Sequence, residues 1–207
     1  MKENTNYSKL ETIFNYNGGY ITRKDADKAG IPSWFLSDFV RKNRLNKIAP
    51  GFYTNDSFIP DDYFIFQQRY PKYIYSGMSA LYLHKLTDKI VTTIEVSAPQ
   101  GYNPSRIKRC NLIVHKISNE NIYKLGVTKV ETMFGNEVNV YDEERTICDI
   151  IKHRDEYDGE TFLKAVKLYI RNTNNQIKLF RYASVLGIEK KVFEVMEVMD
   201  VIKEWVK

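Results

Sequence analysis

The hydrophobic and polar positions near the amino terminus predict two short helices in succession. The first is expected to begin near Ser8, where a capping-box spacing precedes an apolar stripe, and to end before Gly18-Gly19. Thr22 is a candidate N-cap for the second helix, which closes at Gly30. Helices this short need a packed apolar face for stability, so they are expected to fold together.

A third helix and a hairpin complete this segment. Ser33 is expected to cap the helix SWFLSDFVRKN. With its residues placed about 100° apart, the inner side carries Phe35, Leu36, Phe39 and Val40. The outer side carries Trp34, Ser37, Asp38 and Arg41. The following stretch RLNKIAPGFYTN predicts two short strands around Pro50-Gly51, which form a hairpin-like wing.

The pattern then changes to strands and longer helices. The segment DSFIPDDYF, interrupted by Pro60, predicts a boundary between domains at 1–56 and 62–207. A helix is predicted in GMSALYLHKL and strands in IVTTIEVSA, CNLIVHKI and VTKVETMFGNEVNVYD, the last with a hairpin turn at Gly135-Asn136. Further helices are predicted in EERTICDIIKHR, ETFLKAVKLYIRN, NQIKLFRYASVLG and KKVFEVMEVMDVIKEWVK. The fold class is therefore α+β, and the second domain is expected to be mixed α+β, with strands first and a helical C-terminal part.

Composition is that of a folded globular protein, with 43% hydrophobic and 28% charged residues. No apolar run reaches the roughly 18 to 20 residues needed to span a bilayer, and MKENTNYSKL lacks the apolar core of a signal peptide. No membrane association and a cytoplasmic location are expected. Cys110 and Cys148 lie far apart without CxxC spacing and are interpreted as buried thiols.

Positive charge is concentrated in the amino-terminal quarter of the chain. Residues 1–55 hold nine Lys and Arg against five Asp and Glu, a balance of +4 out of a total of +5. This asymmetry is expected when one module of a protein meets a polyanion.

A helix, a turn, a second helix and a wing at this spacing predict an N-terminal winged helix-turn-helix that binds double-stranded DNA. The major groove admits one helix, whose outer side contacts base edges while nearby cations neutralise phosphates. The residues expected to face the groove are Ser33, Trp34, Ser37 and Arg41. Arg23 and Lys24 are expected near phosphate, with Lys42, Arg44 and Lys47 beside the wing. Two alternatives remain: a solvated or protein-binding polar face, and a Trp34 that packs against the second helix or the wing.

The histidine and acidic residues of the chain do not show the spacing of known catalytic or metal sites. His84, His115 and His153 fall on different predicted elements and are interpreted as structural or surface residues, while the acidic run Asp142 to Glu144 suits a helix amino terminus better than a metal site. A metal-dependent nuclease would need a lysine at position 97, two residues after Glu95, where the chain has serine. No catalytic, metal or cofactor site is therefore predicted.

Three stretches together resemble a known family. They are GGYITRKDADKAGIPSWFLSDFVRKNRLNKIAPGFY, YIYSGMSALYLHKLTD and ERTICDII. The chain is similar to the AbiEi antitoxins of type IV (AbiE) toxin-antitoxin abortive-infection systems. The resemblance implies a non-enzymatic repressor whose winged helix binds inverted repeats in its own promoter. It also implies a functional partner, a nucleotidyltransferase-like toxin, which the C-terminal domain counters without a stable complex.

One winged helix covers a half-site, so two copies of the chain are expected on an inverted repeat. In the absence of DNA, the chain can be a monomer in solution. Two rival hypotheses remain from other classes of protein. One is a nuclease or nucleotide-processing enzyme that the winged helix targets to DNA, and the other is an interaction module whose winged helix binds protein.

Overall fold

The computed structural model of the protein describes residues 2–102, 111–173 and 175–205, and the side chains of 5–102, 111–173 and 175–199. The chain divides into two compact units, Met1–Arg69 and Tyr70–Lys207. Both contain helices and a β-sheet, so the chain is mixed α+β. None of the helices in the described residues has the length and apolarity that crossing a membrane requires.

Within its described residues, the first unit contains four helices and one small antiparallel sheet. Its helices are α1 (Lys2–Tyr16), α2 (Arg23–Lys28), α3 (Ser33–Lys42) and α4 (Asp62–Arg69). Its strands are β1 (Tyr20–Thr22), β2 (Asn46–Ala49) and β3 (Phe52–Thr54). The strand order is β1-β3-β2, with β3 antiparallel to both neighbours. The β2–β3 hairpin is the predicted pair of strands around Pro50-Gly51, whereas β1 is too short to show a strand pattern in the sequence.

Apolar side chains from α1, α2 and α3, from β1 and from the connection between α2 and α3 form the core of the first unit. The buried residues are Leu10, Ile21, Ala26, Ile31, Phe35, Leu36 and Phe39. Burying several large side chains supplies the stability that helices of this length lack on their own. The predicted inner side of α3 is therefore the side that packs, with Val40 partly buried beside it.

Two helix starts differ from the sequence prediction. Helix α1 begins at Lys2 rather than near Ser8, because Tyr7 packs its ring against Phe35 and Phe39 and so extends the packed face toward the amino terminus. Helix α3 has Pro32 at its N-cap, with no side-chain hydrogen bond there, and Ser33 is its first helical residue. Proline fixes a backbone angle compatible with this position, so the predicted serine cap is not formed.

The division between the units falls after α4, later than the boundary predicted at residues 57–61. The ring of Phe64 in α4 lies 5.3 Å from that of Tyr20 and 6.2 Å from that of Phe52, measured between centroids. The amide of Phe64 also donates to the buried carboxylate of Asp61. These contacts join α4 to the small sheet, although Pro60 and the acidic residues around it suggested a linker.

The second unit contains a five-stranded mixed sheet and six helices within its described residues. The strands are β4 (Ile74–Tyr75), β5 (Ile94–Pro99), β6 (Leu112–Ile117), β7 (Val127–Glu131) and β8 (Glu137–Tyr141). The helices are α5 (Gly77–Leu83), α6 (Glu120–Lys124), α7 (Glu143–Lys152), α8 (Gly159–Asn172), α9 (Gln176–Leu186) and α10 (Glu189–Trp205), with a 3-10 turn at Arg154–Glu156. The strand order is β6-β5-β4-β8-β7, in which β5–β6 and β4–β8 are parallel.

Most segments predicted for this unit occur where expected. The β7–β8 hairpin turns at Gly135-Asn136, and Asp142 caps α7 by accepting a hydrogen bond from the amide of Arg145. The short elements β4 and α6 were missed, because neither is long enough to show a period. Helices α5 and α6 also interrupt the strands, so the order is less segregated than strands first and helices last.

The helices α7 to α10 enclose the main apolar cluster of the second unit. Cys148 lies fully buried in it, and burial raises the pKa of its thiol to about 12, so the thiol is unreactive at neutral pH. The predicted buried thiol is confirmed at this position. The same prediction for Cys110 lies outside the described residues.

Candidate nucleic-acid interface

Helix α3 presents a polar side to solvent. Trp34 is 61% exposed, and its only described ring contact is an edge-on contact with Phe35 of its own helix at 5.1 Å between centroids. The side chain of Arg41 is 80% exposed, and Ser33 and Ser37 are also exposed. The predicted division of the helix into an inner and an outer side is therefore correct, and Trp34 is mostly exposed to solvent.

Asp38 lies between the cations of this outer side and binds two of them. Its carboxylate contacts Arg41 Nη2 at 2.6 Å and Lys42 Nζ at 2.8 Å. These hydrogen bonds, first that from Lys42 and then that from Arg41, lower the pKa of Asp38, and the carboxylate in turn raises the pKa of Lys42. The spacing of three and four residues would have revealed both pairs in the sequence. Their consequence is that neither cation is free of an intramolecular partner.

The amino end of α2 is held by a capping box and an ion pair. Thr22 accepts from the amide of Asp25, and the Asp25 carboxylate accepts from the amide of Thr22. Arg23 Nη2 contacts Asp27 at 2.6 Å, whereas the neighbouring Lys24 is exposed. The predicted cap at Thr22 is confirmed, whereas the ion pair between Arg23 and Asp27 was not predicted.

The β2–β3 hairpin is joined to α2 through its turn. The amide of Arg23 donates to the carbonyl of Gly51 at 2.7 Å, and a Cβ atom at Gly51 would lie 3.1 Å from Cβ of Arg23. Gly51 also has a φ of 71°, which follows Pro50 as a type II turn requires. This position therefore needs glycine for both its conformation and its space. Lys47 is exposed on β2, opposite Tyr53.

Arg44 follows α3 in a left-handed conformation with a φ of 52°. The amide of Leu45 donates to the carbonyl of Val40, and the amide of Arg44 to that of Arg41, which satisfies the last carbonyls of the helix. Glycine is the usual residue at such a position, because a Cβ atom there is strained. An exposed arginine is present instead. The large cation therefore occupies a position at which glycine would give higher local stability.

Five of the six predicted cations fall into two groups within the first unit, and the sixth, Lys47, lies on β2. Arg23 and Lys24 line a cleft of about 280 Å³ between α2 and the hairpin turn, together with Gln68 and Arg69 of α4. The residues at the other site, where α3 ends, are Arg41, Lys42 and Arg44. Among the described residues, Lys24, Arg44 and Lys47 form no ion pair. The contribution of α4 was not predicted, because the predicted boundary assigned these residues to the second domain.

Comparison with known families bears on this segment. Residues 9–55, which run from α1 through the hairpin, match the family model described as "Transcriptional regulator, AbiEi antitoxin". The N-terminal segment is AbiEi-like. The match confirms the family resemblance for the part of the chain that contains every predicted DNA-contacting residue. No curated protein matches the chain significantly.

A solved structure shares the fold of this chain. The crystal structure of RV2827C protein from Mycobacterium tuberculosis matches with a TM-score of 0.56 and 14% sequence identity, covering 87% of this chain and 71% of that one. At this identity, the likeness concerns the fold alone.

The residues considered for a nuclease in the second unit have other partners. Asp88 forms an ion pair with Lys164 of α8. Glu95 is buried and accepts hydrogen bonds from the amide of Met78 and from His115. No group of three His, Cys, Asp or Glu side chains among the described residues is arranged to hold a metal ion.

The three histidines are less separate than predicted. The side chain of His84 is nearly inaccessible to solvent and is hydrogen-bonded to the carbonyl of Tyr141, which confirms a structural role. The rings of His115 and His153 come within 6.1 Å of each other, measured between centroids, because β6 and the end of α7 meet at one cleft. Sequence separation gave no signal of this approach.

Arg145, in the family-like stretch ERTICDII, is a structural residue. It is buried, its Nε donates to Asp149, and Nη1 donates to the carbonyls of Ile122 and Leu125. Its guanidinium also lies 4.3 Å from the ring centroid of Tyr141. Arg145 therefore joins α7 to the end of α6.

Proposed function

We propose that the first unit is a winged helix-turn-helix that binds duplex DNA, with α3 as its recognition helix and the β2–β3 hairpin as its wing. The observation that carries the proposal is the exposed outer side of α3, where Trp34, Ser37 and Arg41 project beside flanking cations. A helix with this polar side fits the width of the major groove. The family match to transcriptional regulators over residues 9–55 supports the same role.

The proposed DNA-contacting residues have two different roles. Ser33, Trp34, Ser37 and Arg41 are proposed to approach base edges, since they occupy one side of α3. The residues proposed to contact phosphates are Arg23, Lys24, Lys42, Arg44 and Lys47. Phosphate contacts fix the position of a protein on DNA and carry little sequence information.

Asp38 gives this surface a means of discrimination. It holds Arg41 and Lys42 in fixed positions, and its own negative charge opposes a close approach to phosphate. Arg41 therefore leaves its ion pair with Asp38 only where the DNA sequence places a guanine within its reach. On random DNA the exchange has no compensating contact, which lowers non-specific affinity.

In the cell, we propose an antitoxin that represses its own operon. Two copies bind an inverted repeat in the promoter, because one module covers a half-site, and the second unit counters a nucleotidyltransferase-like toxin without a stable complex. The support for this biological role is the family description, which names an AbiEi antitoxin. The expected location of such a protein is the cytoplasm.

A fluorescence-anisotropy titration on the DNA upstream of the gene tests the proposal. We expect specific binding with two chains per inverted repeat and a steep fall of affinity with salt. Substituting Arg41, Lys42 and Arg44 together by alanine should abolish specific binding. The matched control substitutes Lys167, Lys190 and Lys191, three exposed lysines of the second unit, and should bind normally apart from a small general effect. Equal binding by both triple variants would show that the interface is assigned to the wrong surface.

A further inference from the structure

The second unit contains a polar cleft that the proposed DNA-binding role does not use. Its volume is about 490 Å³, within the range of roughly 300 to 1,000 Å³ typical of small-molecule sites. The walls come from β5, β6, α7 and the segments around α6 and Tyr157. Serine and asparagine side chains line the cleft beside charged ones, so it suits a ligand that carries polar groups.

Glu95 is held in a fixed position at the base of this cleft. Its buried carboxylate accepts from the amide of Met78 at 2.7 Å and from His115 Nε2 at 2.6 Å, with the Tyr157 hydroxyl 3.4 Å away. A Cβ atom at Gly77 would lie 2.1 Å from the carboxylate, so only glycine leaves room for it. The chain thus orients one imidazole with a buried carboxylate.

A second imidazole is oriented in the same manner. His153 Nδ1 lies 3.1 Å from the carboxylate of Glu156, and its ring is 6.1 Å from that of His115. Each ring therefore uses one nitrogen for a carboxylate, and the other nitrogen has no partner among the described residues. Both side chains are about a third or more exposed and line the cleft.

The charges of the lining favour an anion. Asp149 is neutralised by Arg145, and Glu95 by His115. Lys116 and Lys152 also line the cleft and form no ion pair within the described part of the chain. Hydrogen bonding to Glu95 raises the pKa of His115, so this ring carries its positive charge to higher pH than an ordinary histidine. A metal ion is disfavoured, since no third side chain is placed to complete a ligand set among the described residues.

We infer that this cleft binds a small phosphate-bearing molecule, with His115 and His153 donating to the phosphate oxygens and Lys116 and Lys152 neutralising its charge. A carboxylate orients each ring through one nitrogen, which leaves the other nitrogen as a preorganised donor, and charge-assisted hydrogen bonds are the strongest kind available for phosphate. The apolar parts of Ile122 and Leu186 line the same cleft and can cover a base or another organic group attached to the phosphate.

The experiment is an NMR titration of the full chain with inorganic phosphate and, separately, with adenosine and guanosine 5′-monophosphate. The protein has three histidines, so their ring resonances can be resolved and assigned. Resonances of His115 and His153 should move with saturation, while His84, whose side chain is nearly inaccessible to solvent, should stay unchanged as an internal control. Tighter binding of a nucleotide than of phosphate identifies the nucleotide as the ligand class, and equal binding identifies the phosphate group alone.

Variants separate this site from general attraction to a basic protein. Lys116→Gln combined with Lys152→Gln should weaken phosphate binding by about tenfold or more, because two charge-assisted contacts are lost. Lys129→Gln combined with Lys167→Gln removes the same charge from exposed positions that do not line the cleft and should leave binding unchanged. Unmoved histidines at millimolar ligand, or equal binding by the two double variants, would overturn the inference. Neither result depends on whether the first unit binds DNA.

Discussion

Asp38 Oδ1 accepts a 2.6 Å hydrogen bond from Nη2 of Arg41, one turn later on the outer side of α3. This pair sets a carboxylate within the surface proposed to face DNA. A negative charge there reduces affinity for any polyanion, so its presence needs a compensating benefit. In the proposed role, the benefit is discrimination between the operator and other DNA.

Replacing Asp38 by Asn should therefore increase non-specific DNA binding. The change frees Arg41 and Lys42 for phosphate contacts, and each added contact steepens the slope of log K against log salt by about 0.9. We expect tighter binding to random duplex and a smaller ratio of specific to non-specific affinity, measured by anisotropy at two salt concentrations.

The control for this variant is Asp56→Asn. It changes the net charge equally, but Asp56 contacts Asn46 and holds no cation among the described residues. The same increase in both variants would mean that overall charge, rather than release of Arg41 and Lys42, sets the affinity.

Arg44 should show a conflict between stability and binding. Glycine adopts its φ of 52° without strain, so Arg44→Gly should raise the free energy of unfolding by about 1 kcal/mol while weakening DNA binding through loss of a phosphate contact. Denaturant unfolding and anisotropy measure the two effects. Arg44→Ala should weaken binding to a similar extent without the gain in stability.

Lys85 provides the matched control, because it follows α5 in the second unit with a φ of 58°. Lys85→Gly should give a similar gain in stability and leave DNA binding unchanged. If Arg44→Gly bound DNA as well as the original chain does, Arg44 would be removed from the proposed interface.

The sequence predicted most of the first unit because its signals are local. The apolar side of α3, the cap at Thr22 and the turn at Pro50-Gly51 each depend on residues within one turn of helix or hairpin. The segment containing α4 was misassigned because its attachment depends on Phe64 meeting Tyr20, a contact between positions far apart in the chain. Asp38 could have been recognised as a partner of Arg41, since their spacing is that of neighbours on a helix.

The cleft of the second unit could not be predicted in the same way. Glu95 and His115 meet because β5 and β6 are paired parallel strands, and His153 joins them only through the position of α7. Strand pairing and the placement of a helix end are tertiary facts without a local signal. The space that Gly77 leaves for Glu95 also appears only once the two segments are side by side.

Gly77 should be among the least replaceable residues of the second unit. In Gly77→Ala the new Cβ would lie 2.1 Å from Glu95, so the carboxylate must leave both the Met78 amide and His115. Breaking a buried, charge-assisted contact costs about 3 kcal/mol or more.

Gly135→Ala is the control, because that glycine also has a positive φ but no atom within 4 Å of the added Cβ. It should lose only about 1 kcal/mol, measured by denaturant unfolding. Equal losses would show that backbone strain, rather than displacement of Glu95, determines the cost at Gly77.

The pair of His115 and Glu95 should also make stability depend on pH. Because hydrogen bonding to Glu95 raises the pKa of His115 in the folded protein, the folded state binds a proton more tightly than the unfolded state does. Its contribution is fully present below the unfolded pKa, about 6.5, and is lost as pH rises through the higher folded pKa. The groups around the ring are Glu95, Tyr157, Glu156, Asp149, His153 and Lys116.

The variant His115→Gln tests this dependence, because it keeps a donor toward Glu95 but removes the titration of the imidazole. The difference in unfolding free energy between the original chain and this variant should therefore be largest at about pH 6 and shrink toward about pH 9. A difference that stays constant over this range would mean that His115 is neutral in the folded protein and that its bond to Glu95 carries no ionic component.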